Sequence, residues 1–400
     1  MLTKTITMKK TTINIFLLAS ALFSSFNSFS QWQQAAGTAG LNIQSLITNG
    51  MYNFAGGSTG AYLSTDNGAN YILSNNGNDA VGPTRGFAKN NNYVYTCTSQ
   101  GVFRSSDNGA TWISSSSGIS NLLNHGILNV GTKLFLVGVG GVYKSEDNGD
   151  NWSAAGLTGT DVRSISAMQD TLYIGTLNSG IYKSTDWGAN WVSINNGLGS
   201  SSGFRAMECK GNTLFAAGPI GTGVYRSIDF GANWTLLSGG LPTSSYRGFA
   251  SNDQLIVAGS FGRGVFYSTN NGDSWTQINS GLTDTTIFDL ALNDNYLIAA
   301  TNTQGVFRFP LMALFSVTEQ LNSNEPIVLY PNPTKNQLNF QLSTKQETAC
   351  YVIYNYFGQE VGNGSLNNGA NSIDTTPLKA GVYYLKIGDE ISQKHKFIIQ

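Results

Sequence analysis

The sequence has few charged residues, and its opposite charges nearly cancel. Only 11% of the 400 residues are Asp, Glu, Lys or Arg, and the formal net charge is -1. A nucleic-acid-binding protein usually carries a basic excess, so we expect no nucleic-acid partner. Histidine is also scarce, with two residues. Ser-His-Asp chemistry therefore has only His125 and His395 to draw on, and no nucleophile elbow accompanies them.

Cysteine is nearly absent, which excludes a disulfide framework. The three residues Cys97, Cys209 and Cys350 are far apart in apolar, strand-like contexts, where buried free thiols are expected. Nothing near them supports a metal site or a nucleophile. Phosphate-loop and dinucleotide fingerprints are absent as well, so we predict no metal and no cofactor.

Long apolar runs are missing except near the start of the chain. The stretch INIFLLASALF is too short to span a bilayer. Three lysines precede it (Lys4, Lys9 and Lys10), and SFS before Gln31 fits a cleavage site, so residues 1–30 are predicted to be an export signal. A membrane anchor is the alternative. No later segment is apolar for 18 residues, so we expect a soluble mature protein without a membrane span.

Glycine is abundant and marks an internal repeat. The step Gly-[Val/Ile/Ala]-[Phe/Tyr] recurs every 39 to 43 residues, at Gly60, Gly101, Gly141, Gly180, Gly223, Gly264 and Gly305. Each unit contains four short segments with strand patterns, separated by Gly, Asn or Asp turns. Four strands in about forty residues are typical of a β-propeller blade. The sequence therefore predicts an all-β fold with seven blades.

A series of aromatic residues also has seven members, but it is shifted along the chain relative to the glycine steps. Its members are Trp32, Tyr71, Trp112, Trp152, Trp191, Trp234 and Trp275. It starts before the first glycine step and stops before the last one. We therefore predict that the strand near Trp32 completes the seventh blade, which closes the ring and removes an exposed sheet edge. The predicted propeller spans residues 31–309.

The most repeated stretch is GVFRSSDNGATW at 101–112. A short acceptor side chain can take hydrogen bonds from its own turn, glycine allows positive φ, and the aromatic residue can pack between blades. The stretch resembles the Asp-box of BNR, sortilin-type and sialidase propellers. The matching residues are Asp66, Asp107, Asp147, Asp186, Asp229 and Asn270. Asn270 favours a structural role because Asn is a poor general acid, while a calcium site is the alternative, although its ligand series is missing. The resemblance also implies that these turns lie on the face opposite the binding face.

The forty-residue repeat ends after residue 309. Residues 310–325 are predicted to be a linker, and composition predicts a small β-sandwich over 326–400. This tail resembles the type A C-terminal sorting domain of the type IX secretion system, through the Pro331-Asn332-Pro333 turn, the turn at Gly358 and the motif around Gly381. The resemblance implies recognition by the secretion machinery, removal of the tail, and a secreted or outer-cell-surface location. A carbohydrate-binding sandwich is the alternative.

One position of the repeat carries a candidate binding site. The second residue of each predicted innermost strand is polar or basic in six units: Gln44, Arg85, His125, Arg163, Arg205 and Arg247; the seventh unit has Phe288. We expect these side chains at one end of the central channel, where an arginine ring suits carboxylate or phosphate. An acidic glycan or a protein ligand would fit. The alternative is inheritance of a structural arginine by each repeat.

Catalytic signals are weaker. Sialidases require an Arg-Ile-Pro stretch that the chain lacks, and glycoside hydrolysis needs two convergent carboxylates. Glu208 and Asp289 lie on predicted innermost strands, but in different blades. The leading hypothesis is a secreted, non-catalytic binding protein. A carbohydrate-active hydrolase is the second, and a self-associating surface-layer component the third.

Overall fold

A computed structural model describes residues 31–76, 83–201, 203–218, 221–314, 328–342, 348–355, 359–367, 369–387 and 394–400. The chain divides into two compact units after Leu311. The predicted export signal lies outside the described residues, and so do residues 315–327, which include most of the predicted linker. The domain boundaries at 309 and 326 therefore stay predictions.

In its described residues, the first unit consists of seven four-stranded antiparallel sheets. We number them blades 1 to 7 in chain order. A separate strand, β1 (Gln33–Gln34), precedes them. Blade 1 has β2 (Ile43–Asn49), β3 (Tyr52–Gly57), β4 (Gly60–Ser64) and β5 (Ile72–Leu73); blade 2 has β6 (Thr84–Lys89), β7 (Val94–Thr98), β8 (Gly101–Ser105) and β9 (Ile113–Ser114). Blade 3 has β10 (Asn124–Val130), β11 (Lys133–Gly138), β12 (Gly141–Ser145) and β13 (Ser153–Ala154); blade 4 has β14 (Val162–Met168), β15 (Thr171–Thr176), β16 (Ile181–Ser184) and β17 (Val192–Ser193). Blade 5 has β18 (Ala206–Lys210), β19 (Thr213–Ala217), β20 (Val224–Ser227) and β21 (Thr235–Leu236); blade 6 has β22 (Tyr246–Ser251), β23 (Ile256–Ser260), β24 (Gly264–Ser268) and β25 (Thr276–Gln277). Blade 7 has β26 (Ile287–Leu292), β27 (Tyr296–Thr301) and β28 (Val306–Pro310), and a 3-10 helix follows at Leu311–Leu314.

The fourth strand of blade 7 comes from the other end of the unit. In β1, Gln33 pairs with Arg308 and Gln34 with Phe307, which gives the order β1-β28-β27-β26. Trp32 is buried, and its ring lies 5.4 Å from that of Phe309. The strand predicted near Trp32 thus completes the last blade.

Apolar residues lie mainly between adjacent blades. Phe54 of blade 1 packs with Phe87 and Trp112 of blade 2, with ring centroids 5.9 and 6.3 Å apart. The middle strands are buried on both faces, as β19 is over its whole length. A single blade cannot bury both faces alone, so the ring of neighbours supplies the core.

In blades 1 to 6, the turn after the third strand is closed by the acceptor side chain of the repeat. In blade 2, Asp107 Oδ1 accepts from the N–H of Thr111 at 2.8 Å and from Ser105 Oγ at 2.7 Å. Hydrogen bonds from Thr111 and Ser105 lower the pKa of Asp107 to about 2. Asn270 accepts from the N–H of Ser274 at 3.0 Å, so an amide makes the same bond. Equivalent bonds are made by Asp66, Asp147, Asp186 and Asp229.

The tryptophans after these turns connect neighbouring blades. Trp112 Nε1 donates to the carbonyl of Ser74 at 2.9 Å, and Trp152 Nε1 donates to that of Ser115 at 2.8 Å. Trp191 and Trp234 make the same bond to the preceding blade. Each large ring therefore packs between blades and also satisfies its polar atom.

The residue after the acceptor has a left-handed backbone in all six turns. Asn occupies this position four times, and Asn tolerates it well. Trp187 (φ 59°) and Phe230 (φ 58°) occupy it in blades 4 and 5. Trp187 stacks on Phe135 at 6.2 Å, and Lys133 Nζ lies 5.3 Å from its ring centroid. Phe230 is 46% exposed, so little packing offsets its backbone strain.

The second unit has six strands in its described part. They are β29 (Gln337–Leu342), β30 (Thr348–Asn355), β31 (Glu360–Asn367), β32 (Gly369–Asp374), β33 (Gly381–Ile387) and β34 (Lys394–Ile399). A two-stranded sheet, β29-β32, and a four-stranded sheet, β31-β30-β33-β34, share one buried core that includes Phe340 and Leu385. Gly358 of the sequence motif lies outside the described residues. The predicted fold class, all-β with a seven-bladed propeller and then a small β-sandwich, is confirmed.

Phe230→Asn should stabilise the propeller, because Asn adopts the left-handed backbone at lower cost and Phe230 loses little burial. We expect the free energy of unfolding to rise by about 1 kcal/mol. Trp187→Asn is the matched control and should destabilise, because Trp187 packs on Phe135 and under Lys133. Urea unfolding followed by fluorescence measures both. Equal destabilisation by the two variants would contradict this reading of the turn.

Candidate functional site

The innermost strand carries a β-bulge near its start in six of the seven blades that the structure describes. In blade 2 the register shifts between Thr84 and Gly86, so Arg85 has no partner in β7. The unpaired residues in the six blades are Gln44, Arg85, His125, Arg163, Arg247 and Phe288. A bulge redirects the side chain of its extra residue. The same redirection, repeated around the ring, gathers these side chains at one end of the channel.

Blade 5 reaches the same place without a bulge. Arg205 lies directly before β18, and its N–H donates to the carbonyl of Ala217 at 2.8 Å. A cavity of about 550 Å³ is lined by all seven side chains, which we call the mouth ring: Gln44, Arg85, His125, Arg163, Arg205, Arg247 and Phe288. The six predicted site residues are thus brought together; their binding role stays a prediction.

The repeat turns lie at the other end of the blades. The mouth ring stands at the start of each innermost strand, whereas a turn such as that of Asp66 follows the far end of the third strand. The N–H of Asn67 in this turn donates to the carbonyl of Met51, in the hairpin between β2 and β3, at 3.2 Å. A ligand at the mouth ring would therefore not contact the turns.

An apolar layer lies beneath the mouth ring. It is formed by side chains two residues further along the innermost strands: Leu46, Phe87, Ile127, Ile165, Met207, Phe249 and Leu290. All of them except Ile165 are less than 9% exposed. A small ligand at the mouth would meet cations and amides at the rim and hydrocarbon below them.

Blades 2 to 4 supply a connected set of charges. Asp161 lies behind the mouth ring, with Oδ2 2.6 Å from Arg163 Nη2 and Oδ1 3.2 Å from His125 Nε2. On its other side, His125 Nδ1 lies 3.4 Å from Arg85 Nη1. Burial and the charge of Arg163 lower the pKa of His125 to about 4, although Asp161 opposes them. His125 is therefore neutral at pH 7, and Asp161 compensates the charge of Arg163.

Blades 5 and 6 supply two arginines without a counter-ion. In the described part of the chain, no side chain forms a salt bridge with Arg205 or Arg247, and the buried Nε atom of each has no hydrogen-bond acceptor. The guanidinium carbon of Arg247 lies 4.3 Å from the ring centroid of Phe261 and 5.1 Å from that of Phe288. Burial and the charge of Arg205 lower the pKa of Arg247 from its usual value. Arg85 has no salt bridge either, but it is exposed to solvent, whereas Arg205 and Arg247 are half-buried.

Gln44 occupies the point where blades 7 and 1 meet. Its Nε2 donates to Asn42 Oδ1 at 2.8 Å, and Asn42 Nδ2 donates to the carbonyl of Asn302 at 2.9 Å. The amide of Gln44 is thereby held in place at the rim. An amide is suited to sugar hydroxyls, because it can both donate and accept hydrogen bonds.

Two carboxyl groups line the same cavity below the rim. Asp289 Oδ2 accepts from the N–H of Leu46 at 2.8 Å, across the junction of blades 7 and 1. Glu208 Oε1 accepts from Ser251 Oγ at 2.7 Å, across the junction of blades 5 and 6. Burial raises the pKa of each to about 7, and the charge of Asp289 also raises the pKa of Glu208. Sequence alone could not bring these two residues together, and the structure does.

Two residues of the site were missed by the sequence alignment of innermost strands. Asp161 precedes the aligned segment, and its position two residues before Arg163 was the available signal. Phe261 follows β23 and lies outside every aligned position, so only the fold brings it to Arg247. Asp161 compensates the charge of Arg163, and Phe261 packs against the guanidinium group of Arg247.

In the described residues, no group of three or more His, Cys, Asp or Glu is arranged to hold a metal ion. Nor does this part of the chain contain a helix long and apolar enough to cross a lipid bilayer.

Comparison with known proteins assigns the second unit. Residues 328–400 match the family described as secretion system C-terminal sorting domain. The tail is a secretion sorting domain. A domain of this family directs export through the type IX system, so the chain is secreted or displayed at the outer cell surface. This confirms the predicted tail and the predicted location.

The first unit is similar in fold to β-propellers of different activities. YCF48 bound to D1 peptide is 13% identical over 70% of this chain and 97% of its own, with a TM-score of 0.56. The xyloglucanase of family GH74 from Xanthomonas campestris is 15% identical over 78% of this chain and 59% of its own, with a TM-score of 0.59. PorZ, a surface component of the type IX secretion system of Porphyromonas gingivalis, is 12% identical over 89% of this chain and 59% of its own, with a TM-score of 0.56. Such low identities show the fold alone. No curated protein matches the chain in sequence.

The two cavity carboxyls should make stability depend on pH near neutrality. Their pKa values rise from 4.5 and 3.8 to about 7 on folding, so the folded state binds more protons between pH 4 and 7. Their contribution to stability is complete below about pH 4 and is lost as the pH rises through 7. We expect the melting temperature to fall between pH 5 and 8.

The variant Glu208→Gln/Asp289→Asn should flatten this slope, because neither amide titrates. Asp170→Asn is a suitable control, since Asp170 is exposed in the hairpin between β14 and β15. A slope that survives in the double variant would show that other groups cause it.

Proposed function

We propose that this chain is a secreted or surface-attached, non-catalytic binding protein whose mouth ring holds an anionic group of a glycan or protein ligand. The observation that carries the proposal is the pair Arg205 and Arg247, which share the mouth without a counter-ion. Arg205 and Arg247 are half-buried, and neighbouring like charges that are partly removed from water are costly unless an opposite charge compensates them. An anionic ligand would supply that charge and would accept hydrogen bonds from the free guanidinium N–H groups.

Export fits this role. The sorting domain would be recognised by the type IX machinery and then removed, which would leave the propeller free or attached at the cell surface. There the mouth would meet extracellular glycans and proteins. Similar folds serve both recognition and catalysis, since YCF48 has been seen with a peptide and the xyloglucanase is an enzyme. Fold similarity therefore supports neither role over the other.

A glycoside hydrolase is the second candidate, and one observation favours it. Glu208 and Asp289 line one cavity and have pKa values near 7, where one could act as acid and the other as base. We rank it second because both carboxyls bridge neighbouring blades through hydrogen bonds. They also lie below the arginine rim, one on each side of the apolar layer along the innermost strands.

An array of acidic and neutral glycans and acidic peptides, read for both retention and released sugar, tests the proposal. We expect retention of acidic ligands without release, weakened by salt because exposed charges are screened. Arg85→Ala/Arg163→Ala/Arg205→Ala/Arg247→Ala should abolish retention.

Arg104→Ala/Arg226→Ala is the control variant. These arginines pair with Asp150 and Asp273 near the repeat turns, and their loss should leave retention intact. Retention that survives the fourfold change would contradict the proposal. Sugar released by the wild type but not by Glu208→Gln/Asp289→Asn would establish the hydrolase instead.

A further inference from the structure

The mouth ring is electrostatically uneven. It contains four arginines, but the only carboxylate that the described residues bring into salt-bridge distance of the ring is Asp161. Asp161 contacts the ring on the side of blades 3 and 4. The side of blades 5 and 6 has no such partner. Arg85 has no salt bridge either, but it is exposed to solvent, whereas Arg205 and Arg247 are half-buried. The positive charge that is least compensated by protein or solvent is therefore at Arg205 and Arg247.

Asp161 is fixed in this position. It is 23% exposed in its side chain, and one oxygen faces Arg163 while the other faces His125. Its own carbonyl accepts from the N–H of Leu177 at 2.8 Å, which ties the segment before β14 to the end of β15. Asp284, another acid close to the mouth end of a blade, instead accepts from Thr286 and Thr303. The negative charge of Asp161 is thus directed at the ring.

The opposite side combines charge with apolar surface. Arg247 is held against Phe261 and Phe288, whose rings are 6.0 Å apart. Phe261 is 37% exposed, so an aromatic surface borders the free guanidinium groups. This arrangement suits one anionic group next to a C–H-rich face, as in a pyranose that carries a single carboxylate.

We infer that Asp161 is the specificity-determining residue of the mouth ring, and that it makes the site selective for monoanionic sugar acids over dianionic ones. The first carboxylate binds at Arg205 and Arg247. A second carboxylate across the mouth would approach Arg85 and Arg163, a pair that already has the carboxylate of Asp161 beside it, and would be repelled by Asp161 itself. This inference rests on the proposed function, because it assumes that the mouth binds an anion.

Galactose, galacturonate and galactarate are six-carbon probes of charge 0, -1 and -2. Because galactarate is an open-chain diacid, the change in its affinity between the wild type and Asp161→Asn is the deciding comparison. Titration into the purified chain, followed by NMR, measures their affinities at pH 7. In the wild type, galacturonate should bind at least about tenfold more tightly than galactose, and galactarate no more tightly than galacturonate. In Asp161→Asn, galactarate affinity should rise at least about tenfold, and galacturonate affinity less than about threefold.

Asp170→Asn is the matched control, because it removes the same charge from the same blade at the opposite end. It should change no affinity in the series. His125 provides a readout that a purely structural role of Asp161 would not move. The charge of Asp161 raises the pKa of this imidazole, so Asp161→Asn should lower the pKa of His125 below its wild-type value. An NMR titration measures this pKa, and the chain has only two histidines to assign.

The outcomes separate this inference from the proposed function. Galactarate that binds the wild type about tenfold more tightly than galacturonate would overturn the role of Asp161, and so would an unchanged galactarate affinity in Asp161→Asn. In both cases binding of either acid would leave the anion site standing. If neither acid binds more tightly than galactose, and acidic peptides are not retained either, the proposed function fails together with the inference.

Discussion

The pairing of a two-residue strand, β1, with β28 is the constraint on which the propeller depends. Blade 7 would otherwise end in an exposed edge, and the two ends of the unit would lose the strand pairing that joins them. The same junction contains the bond from Leu46 to Asp289 and the amide chain from Gln44 to Asn302. Because these contacts join residues about 240 to 260 positions apart, closing the ring also fixes the distance across its mouth.

The chemistry of the mouth follows from that geometry. A β-bulge redirects one residue per blade, but a redirected residue becomes part of a site only when seven blades surround one axis. Closure then places four arginines in a shared cavity and leaves Arg205 and Arg247 uncompensated while Asp161 compensates Arg163. The repeat turns contribute at a distance, because their hydrogen bonds hold each turn closed and tryptophans that follow them bond to the preceding blade.

The repeat made much of this fold predictable. The glycine series and the aromatic series each have seven members, but they are shifted along the chain relative to each other. Together they predict seven blades and a first strand that completes the last blade, and the arginine series predicts the mouth ring. The charge balance of the ring was not predictable. Asp161 lies outside the repeated position, and Phe261 belongs to no series. Glu208 and Asp289 line one cavity only because the blades surround one axis. These contacts are set by tertiary geometry, which a period of forty residues does not encode. The positive φ of Trp187 and Phe230 was not predictable from these two residue types. The repeat imposes on them the left-handed backbone that Asn adopts in the other turns.

Hydrogen exchange at β28 tests the central claim of ring closure most directly. The backbone amides of Val306, Phe307, Arg308 and Phe309 should exchange slowly in the intact chain. In a chain without residues 31–36, those that face β1 should exchange fast, while those that pair with β27 lose less protection. Protection of β2 and β26 at the blade 1 to blade 7 junction should fall as well. Unchanged protection in the shortened chain would mean that β1 does not hold the ring, and that the geometry of the mouth has another origin.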